Sequence, residues 1–255
     1  MRYKAKRWLL GSLPFIFLIT LWFFIVHFNI IKPFFLPSPA QVVASTYDLF
    51  VRYKFMKDTL VSLARILAGF LAACIIAIPL GIVMGQSRKV TDFIEPLIAF
   101  VRYTPLPAFI PLFILWFGIG ELEKFIVIFC SVFFQVVLMI ANSSSEVPED
   151  IISFAKILGV SKKRVLTTIV FSYMKPRILD DMRVAMGFAW SGVILAEIVG
   201  ATTGIGATII HAQRLLQTPI LITSIIIVGI LGLMTDYVFK LFNRKLYPWA
   251  GKNGQ

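Results

Sequence analysis

Long apolar segments alternate with shorter polar ones along this chain. Segments of roughly 20 apolar residues are what a helix needs to cross a bilayer. The segments that fit lie at about 8–31, 60–85, 94–118, 125–143, 184–199 and 220–241. The pattern therefore predicts an all-α integral membrane protein with six transmembrane helices. We expect a single transmembrane domain over 1–255, with an N-terminal helix at 8–31 and a core at about 58–245.

The first apolar segment has a second interpretation, a secretory signal peptide. It is too long for the apolar part of a signal peptide, and no small-residue cleavage site follows it. Four basic residues precede it: Arg2, Lys4, Lys6 and Arg7. We therefore predict a first transmembrane helix with its basic end inside the cell.

Three of the intervals between spans have patterns of their own. Residues 39–53 follow helix-breaking prolines and predict a short amphipathic helix at the outer interface. Residues 86–96 predict a short inner loop. Residues 200–219 are rich in glycine at their start and predict a re-entrant or surface segment on the outer side.

The third span, about 94–118, contains an unusual number of prolines: Pro96, Pro105, Pro107 and Pro111. Each removes a backbone hydrogen bond and bends a helix. Broken backbone at membrane depth is tolerated where it is buried in protein or lines a cavity. We therefore expect this span to border a translocation pathway.

The polar interval 146–175 divides into two amphipathic pieces, which we call the elbow. In the first, Ile151, Phe154, Ala155 and Leu158 fall at i, i+3, i+4 and i+7, which predicts that they share one helix face. Gly159 follows as a residue that can end a helix with a positive φ.

The second piece of the elbow begins after Ser161, which can cap it, and we expect Pro176 to end it. Two amphipathic helices joined at a glycine between two spans can form a binding surface for a partner protein outside the membrane. An ordinary cytoplasmic loop with surface helices is the alternative that the geometry leaves open.

Composition excludes a soluble protein. Of the 255 residues, 58% are hydrophobic and 15% are charged, against about 25% charged in soluble domains. The net charge of +12 could indicate a nucleic-acid partner, but the basic residues lie between apolar segments. Most of the 25 Lys and Arg fall on the side of both termini, so the positive-inside rule places both termini in the cytoplasm.

Motifs for catalysis and nucleotide binding are absent from the sequence. It has no GxxxxGK[ST], GxGxxG, HExxH or GxSxG. Cys74 and Cys130 lie inside apolar runs and are interpreted as packing residues, and His27 and His211 have no close Cys or His partner. We expect no cofactor or metal in this chain and no enzymatic activity.

A few charged residues fall within or beside the predicted spans. Glu197 is interpreted either as a pathway residue near the outer mouth or as the structural partner of an Arg or a backbone N–H. Arg102 can attract an anion or reach the lipid headgroups. Asp236 lies near Lys240 at i+4, which favours a structural pair. The tentative pathway residues are Arg102, Pro105, Pro107, Trp190 and Glu197.

Ordered blocks over nearly the whole chain resemble the permease subunits of binding-protein-dependent bacterial ABC importers, in the nitrate, sulfonate, taurine and bicarbonate branch. The blocks are FFLPSPAQV (34–42), SLARILAGF (62–70), PLGIVMG (79–85), PLPAFIPLFILWFGIGE (105–121), AEIVGATTGIG (196–206) and LYPW (246–249). The resemblance implies the fold of a type I ABC importer permease with a cytoplasmic coupling helix.

The elbow resembles the coupling motif of this family, Glu-Ala-Ala, three residues, Gly, nine residues, Ile-x-Leu-Pro. Ala155, Gly159 and Ile169 stand in place, whereas Ser153 replaces the Glu and Ser172 the Pro. Phe154 and Phe171 replace the first Ala and the Leu. The resemblance implies ATPase-coupling residues, which are Ser153, Phe154, Ala155, Lys156, Leu158, Gly159, Val160 and Ser161.

The resemblance further implies two copies of this permease, two copies of a separate ABC ATPase that holds the ATP and Mg²⁺, and an extracytoplasmic solute-binding protein. The complex would lie in the bacterial cell membrane and import a small anionic or organic solute by alternating access, with no nucleic-acid partner. A secondary transporter driven by an ion gradient is the alternative, with Glu197 or Asp236 as its proton site.

Overall fold

The computed structural model describes residues 2–52 and 55–249, with side chains described from Leu10 onward. The basic side chains before Leu10, together with Lys54 and Lys252, lie outside this description. All regular elements in the described part are helical. They are α1 (Arg2–His27), α2 (Pro39–Val51), α3 (Phe55–Gly85), α4 (Arg88–Tyr103), a 3₁₀ turn (Leu106–Phe109), α5 (Ile110–Phe117), α6 (Glu121–Ser145), α7 (Glu149–Ile157), α8 (Lys162–Arg164), a π-helix (Val165–Val170), α9 (Phe171–Ile198), α10 (Ile205–Arg214) and α11 (Thr218–Leu246).

The centre of the bundle is the packing of α3 against α6, with α9 beside them. Glycines on α3 allow this close approach: a Cβ built on Gly69 would lie 2.6 Å from the Ile128 side chain, and one on Gly81 would lie 2.7 Å from Ile140 Cβ. Small residues on α3 thus let the two helices pack closely.

Among the described residues, four helices are long and apolar enough to cross a membrane: α1, α3, α6 and α11. The α4 to α5 pair adds a fifth if it is counted as one broken span. The sixth predicted span is the end of α9, 184–199. Every 18-residue stretch of α9 contains at least three charged side chains, which is why length and hydropathy do not identify it.

The third predicted span is a helix with a sharp break. The prediction of a loop over 86–96 is wrong, because most of that range is helical. Helix α4 begins at Arg88, runs through Pro96 and ends before Thr104, and the chain then turns by 88°. Thr104 has extended backbone angles because a residue before proline is disfavoured in the α region. The break therefore follows from Pro105.

The second piece of the elbow continues into the fifth span. The chain is helical from Lys162 through the π-helix to Ile198, and Pro176 lies inside α9. The expectation that Pro176 ends a helix is wrong. Ser161 occupies the N-cap position, but its side chain makes no capping hydrogen bond.

The two ends of the bundle differ in what they carry. The elbow lies at one end, with the last turns of α3, α6 and α11. At the other end, which we call the opposite end, α2 begins with a capping box between Ser38 and Gln41. Ser45 of α2 lies 2.6 Å from Thr223 of α11 through their hydroxyl oxygens.

Helix α10 also lies at the opposite end. It packs on α9, α11 and α3, and buries Ile205, Gly206, Ala207, Thr208 and Ala212. The first part of the segment 200–219 is therefore embedded among the helices, whereas His211 and residues 213–216 are exposed at the surface.

Candidate functional site

Helix α7 has clear start and stop signals. Glu149 and Asp150 lie in its first turn, where the helix dipole favours anions. At its end Gly159 has a φ of +75°, and Val160 N–H donates to Ala155 O at 3.1 Å. This bond across a left-handed glycine is a Schellman cap, which turns the chain sharply.

The two faces of α7 differ from the predicted arrangement. Ala155 is buried and Ile152 packs against the core of the bundle. Phe154, Ile157 and Leu158 point outward, with 63%, 82% and 65% of their surface exposed. The prediction that Ala155 shares a face with Phe154 and Leu158 is wrong, because Ala155 anchors the helix while the larger side chains face away.

We call Phe154, Ile157 and Leu158 the elbow surface. Three large apolar side chains together at a helix end are a typical protein-binding patch. The other residues of the predicted coupling set surround it. Ser153, Lys156, Gly159 and Ser161 are exposed, and Val160 is half-buried. Ile157 belongs to the elbow surface but was not among the predicted coupling residues. Its position between two of them, Lys156 and Leu158, was the signal that could have identified it.

Polar contacts join the two spans that flank the elbow. Arg177 of α9 forms an ion pair with Glu146 at the end of α6. Ser143 Oγ donates to Asp181 Oδ2 at 2.9 Å, so a second contact joins the same two helices. These contacts hold the end of α6 and the start of α9 together on the two sides of the elbow.

A buried ion cluster lies at the opposite end of the bundle. Arg65 of α3 donates to Glu197 Oε1 at 2.9 Å and pairs with Glu121 at the start of α6. Arg65 also donates to Thr203 O at 2.7 Å. Glu197 is fully buried, so this arginine provides its counter-charge.

The same cluster caps helix α10. Glu197 Oε2 accepts from Gly206 N–H at 2.8 Å, and Ser62 Oγ accepts from Ile205 N–H at 2.9 Å. Asp58 accepts from Gly204 N–H at 2.9 Å. The first N–H groups of a helix have no partner within it, and here side chains of α3 and α9 supply the acceptors.

Glu197 therefore occupies the position described by its second interpretation, as the partner of an arginine and a backbone N–H. The signal for this cluster was present on α3. Asp58, Ser62 and Arg65 fall at i, i+4 and i+7, which places three polar groups on one face of an otherwise apolar helix.

A second buried pair was missed because the fourth span was predicted to start later, at 125. Helix α6 begins at Glu121, so Glu123 and Lys124 lie inside it and are buried. Lys124 Nζ donates to Gly120 O at 3.0 Å and lies 3.8 Å from Glu123 Oε2. Within the described residues, the Glu123 oxygens have no hydrogen bond.

A cavity of about 450 Å³ lies between the broken span, α6 and α9. Arg102 and Pro105 line it, whereas Pro107, Trp190 and Glu197 are not among its walls. Trp190 is buried and donates from Nε1 to Thr235 Oγ1 of α11 at 3.1 Å. The structure thus brings together two of the five tentative pathway residues.

Other candidate chemistry is sparse in the part of the chain that the structure describes. No three His, Cys, Asp or Glu side chains there form a group that could hold a metal ion. Cys74 and Cys130 are free thiols, as the sequence predicted. Asp236 contacts Lys240 at 2.5 Å and Arg183 at 3.4 Å, so its interpretation as a structural pair is confirmed.

Residues 77–247 match the family model described as "Binding-protein-dependent transport system inner membrane component". The taurine transport system permease protein TauC of Escherichia coli K12 is 32% identical over 92% of this chain and 87% of its own length. The putative aliphatic sulfonates transport permease protein SsuC of Bacillus subtilis is 29% identical over 96% of this chain and 89% of its own.

Among solved structures, a chain of the MetNI methionine ABC transporter in an inward-facing conformation superimposes with a TM-score of 0.66. The alignment covers 72% of this chain and 92% of that one at 15% identity, so it shows the fold. With α-helical architecture, family match and relatives in agreement, this chain belongs to the family of binding-protein-dependent transport inner membrane components, in the branch of ABC importer permeases that includes those for taurine, sulfonates, nitrate and bicarbonate.

Proposed function

We propose that this permease forms the membrane pathway of an ATP-driven importer as a pair of identical chains, each docked through its elbow surface on a separate ATPase subunit. ATP and Mg²⁺ are held by the ATPase, so this chain carries no cofactor and no catalytic site. A solute-binding protein delivers a small anionic or organic solute to the opposite end.

The observation that carries this proposal is the exposure of Phe154, Ile157 and Leu158. Apolar side chains of this size beside a charged helix start are unfavourable in water unless a partner covers them. The charged residues around them exclude the bilayer interior as that partner. A soluble protein with a complementary apolar groove fits this surface, and the proposal assigns that role to the ATPase.

Charge distribution supports the side on which docking occurs. Lys162, Lys163 and Arg164 follow the elbow surface, and Arg88 and Lys89 begin α4 at the same end. Basic residues accumulate on the cytoplasmic side of membrane proteins. This distribution supports a cytoplasmic elbow in a bacterial cell, with both termini on the same side.

The predicted coupling residues divide into two roles under this proposal. Phe154, Ile157 and Leu158 contact the ATPase, while the buried Ala155 anchors the elbow and Gly159 turns the chain at its end. The family's Glu is absent, since Ser153 stands in its place, so Glu149 or Asp150 supplies any acidic contact.

The alternative, transport driven by an ion gradient, needs an intramembrane acid that can release its proton. Glu197 is paired with Arg65, and Asp236 with Lys240 and Arg183. Both carboxylates have cationic partners, which favours a structural role for each. The geometry thus supports the ATP-driven importer over the secondary transporter.

Uptake into proteoliposomes decides between them. The permease, its ATPase and its binding protein are reconstituted, and uptake of labelled taurine, butanesulfonate, nitrate and bicarbonate is followed with ATP on the ATPase side. We expect uptake of at least one solute to stop without ATP and to continue when ionophores remove all ion gradients. Uptake that persists without ATP but collapses with the gradients would establish the secondary transporter.

A further inference from the structure

The cavity between the broken span, α6 and α9 has a definite chemical character. Its volume of about 450 Å³ falls within the range of roughly 300–1,000 Å³ that small-molecule sites occupy. Most of its wall is apolar, and the aromatic members are Phe109, Phe113, Trp116, Phe134 and Phe188. A small, fully hydrated inorganic anion would find little in such a wall to replace its water.

The aromatic wall is continuous on the side of the broken span. Phe109 and Phe113 are stacked with ring centroids 5.9 Å apart, and Phe113 lies 6.5 Å from Trp116. The indole of Trp116 remains exposed. Flat rings in this arrangement cover the apolar body of an organic molecule and offer it no fixed charge.

Arg102 provides the positive charge of the cavity. Its guanidinium donates to Tyr103 Oη at 3.3 Å and lies 4.9 Å from the centre of that ring. Within the described side chains, no carboxylate lies within ion-pair distance of Arg102. This distinguishes it from Arg65, which is paired with two glutamates. One unpaired cation balances one negative charge on a solute.

Gln135 provides an uncharged polar group on the α6 wall. The two serine hydroxyls nearby are satisfied by their own helices, since Ser131 donates to Ile128 O at 2.7 Å and Ser191 to Gly187 O at 3.2 Å. The Gln135 amide, by contrast, has no hydrogen-bond partner among the described residues. This side chain is half-buried and lines the cavity, so a solute there can hydrogen-bond it.

We propose that this cavity is a transit site for a monoanionic organic solute, in which Arg102 receives the charge, Gln135 hydrogen-bonds the solute and the aromatic wall covers its apolar body. This rests on the proposed function and narrows its solute class. It assigns Gln135 as a specificity-determining residue, and it excludes bare inorganic anions such as nitrate and bicarbonate as the preferred cargo.

The first test measures how fast charged reagents modify a cysteine in the cavity, and it does not require transport. In the permease–ATPase complex, with Cys74 and Cys130 replaced by Ser, a single cysteine is placed at Ser191 in the cavity or at Leu122 outside it. Each cysteine is modified by one of two methanethiosulfonate reagents, the anionic sulfonatoethyl or the cationic trimethylammonioethyl compound. The modification rate of each reagent is divided by its rate with free cysteine in solution, which corrects for intrinsic reactivity. We expect Ser191→Cys to favour the anionic reagent over the cationic one, Leu122→Cys to show no such preference, and Arg102→Gln to remove it.

Competition completes this test. Benzenesulfonate is expected to slow modification of Ser191→Cys several-fold, and nitrate at the same concentration is expected to leave it unchanged. Equal protection by nitrate would overturn the proposal. Equal rates of modification of Ser191→Cys by the anionic and the cationic reagent would also overturn it.

The second test uses transport with the binding protein present. Gln135→Leu is expected to lower ATP-driven uptake of butanesulfonate or benzenesulfonate roughly tenfold, the equivalent of one lost hydrogen bond. Ser131→Ala, which changes the same wall, is expected to keep the normal rate. Normal uptake by Gln135→Leu, or ATP-driven uptake of nitrate or bicarbonate alone, would contradict the inference and leave the importer function intact. Uptake that never requires ATP would instead contradict the proposed function.

Discussion

Arg65 and Glu197 join α3 to the end of α9 by a buried ion pair, with Arg65 Nη1 2.9 Å from Glu197 Oε1. The carboxylate is fully buried and also accepts from Ser62 Oγ at 2.7 Å and from Gly206 N–H at 2.8 Å. A charge in such a position is held by its partners, so removal of one partner leaves the others without compensation.

Glu197→Ala is therefore expected to destabilise the folded protein strongly. Removal of one member of a buried pair costs about 3–5 kcal/mol, and here Arg65 and the Gly206 N–H both lose an acceptor. Thermal unfolding of the purified protein in detergent measures the effect. Asp236→Ala is the control, because its partners Arg183 and Lys240 are partly exposed and such pairs contribute about 0–1 kcal/mol. Equal melting temperatures for the two variants would contradict a structural role for Glu197.

Gly159 tests the elbow in a different way. Its φ of +75° suits Gly and is tolerated by Asn and Asp, and no atom lies within 4 Å of a Cβ built there. Gly159→Asp is expected to leave folding largely intact and to abolish ATP-dependent uptake, because it places a charge beside the elbow surface. Gly159→Asn has nearly the same size without the charge, so it is expected to retain most of the uptake.

Both Gly159 variants are compared at equal protein levels in the membrane. Normal uptake by Gly159→Asp would contradict the coupling role of this residue. Loss of uptake by Gly159→Asn to the same extent would show that side-chain size, rather than charge, is what the site excludes.

The close contact of α3 with α6 predicts a third result. A Cβ on Gly85 would lie 2.6 Å from Ser144 Cβ and would also meet the backbone oxygen of Ala141. Gly85→Ala is expected to cost about 1–3 kcal/mol, since backbone cannot move aside as a side chain can. Gly232→Ala on α11 has open space around it and is expected to be neutral. The melting temperatures of the two variants check this, and a neutral Gly85→Ala would mean that the helices are farther apart than described.

Much of the fold could be predicted from apolar periodicity and proline placement. The spans at α1, α3, α6 and α11 and the elbow at α7 were predicted because long apolar runs and a glycine stop are local signals. The continuity of α8 with α9 was not predicted. A proline inside a helix is tolerated only when neighbouring groups compensate for the lost hydrogen bond, and those neighbours are set by the tertiary structure.

The site was less predictable for the same reason. Glu197 was recognised as unusual, but its partner Arg65 is 132 positions away, and only the fold brings them together. The exposed side of α7 also depended on the bundle, since apolar spacing alone does not tell which face is covered by the spans and which by a partner. Gln135 carried no motif and became a candidate only when the cavity around it was visible.

Docking of the ATPase on the elbow surface is the central claim, and recovery of the ATPase with the purified permease tests it directly. Full burial of an aliphatic side chain is worth about 1.5–3 kcal/mol, so the double variant Ile157→Ser, Leu158→Ser is expected to weaken docking by at least about tenfold. Leu122→Ser is the control, because Leu122 is another exposed apolar residue and lies at the opposite end. We predict that the double variant is purified in normal amount with little ATPase attached, while the control retains it. Full recovery of the ATPase by the double variant would contradict the account.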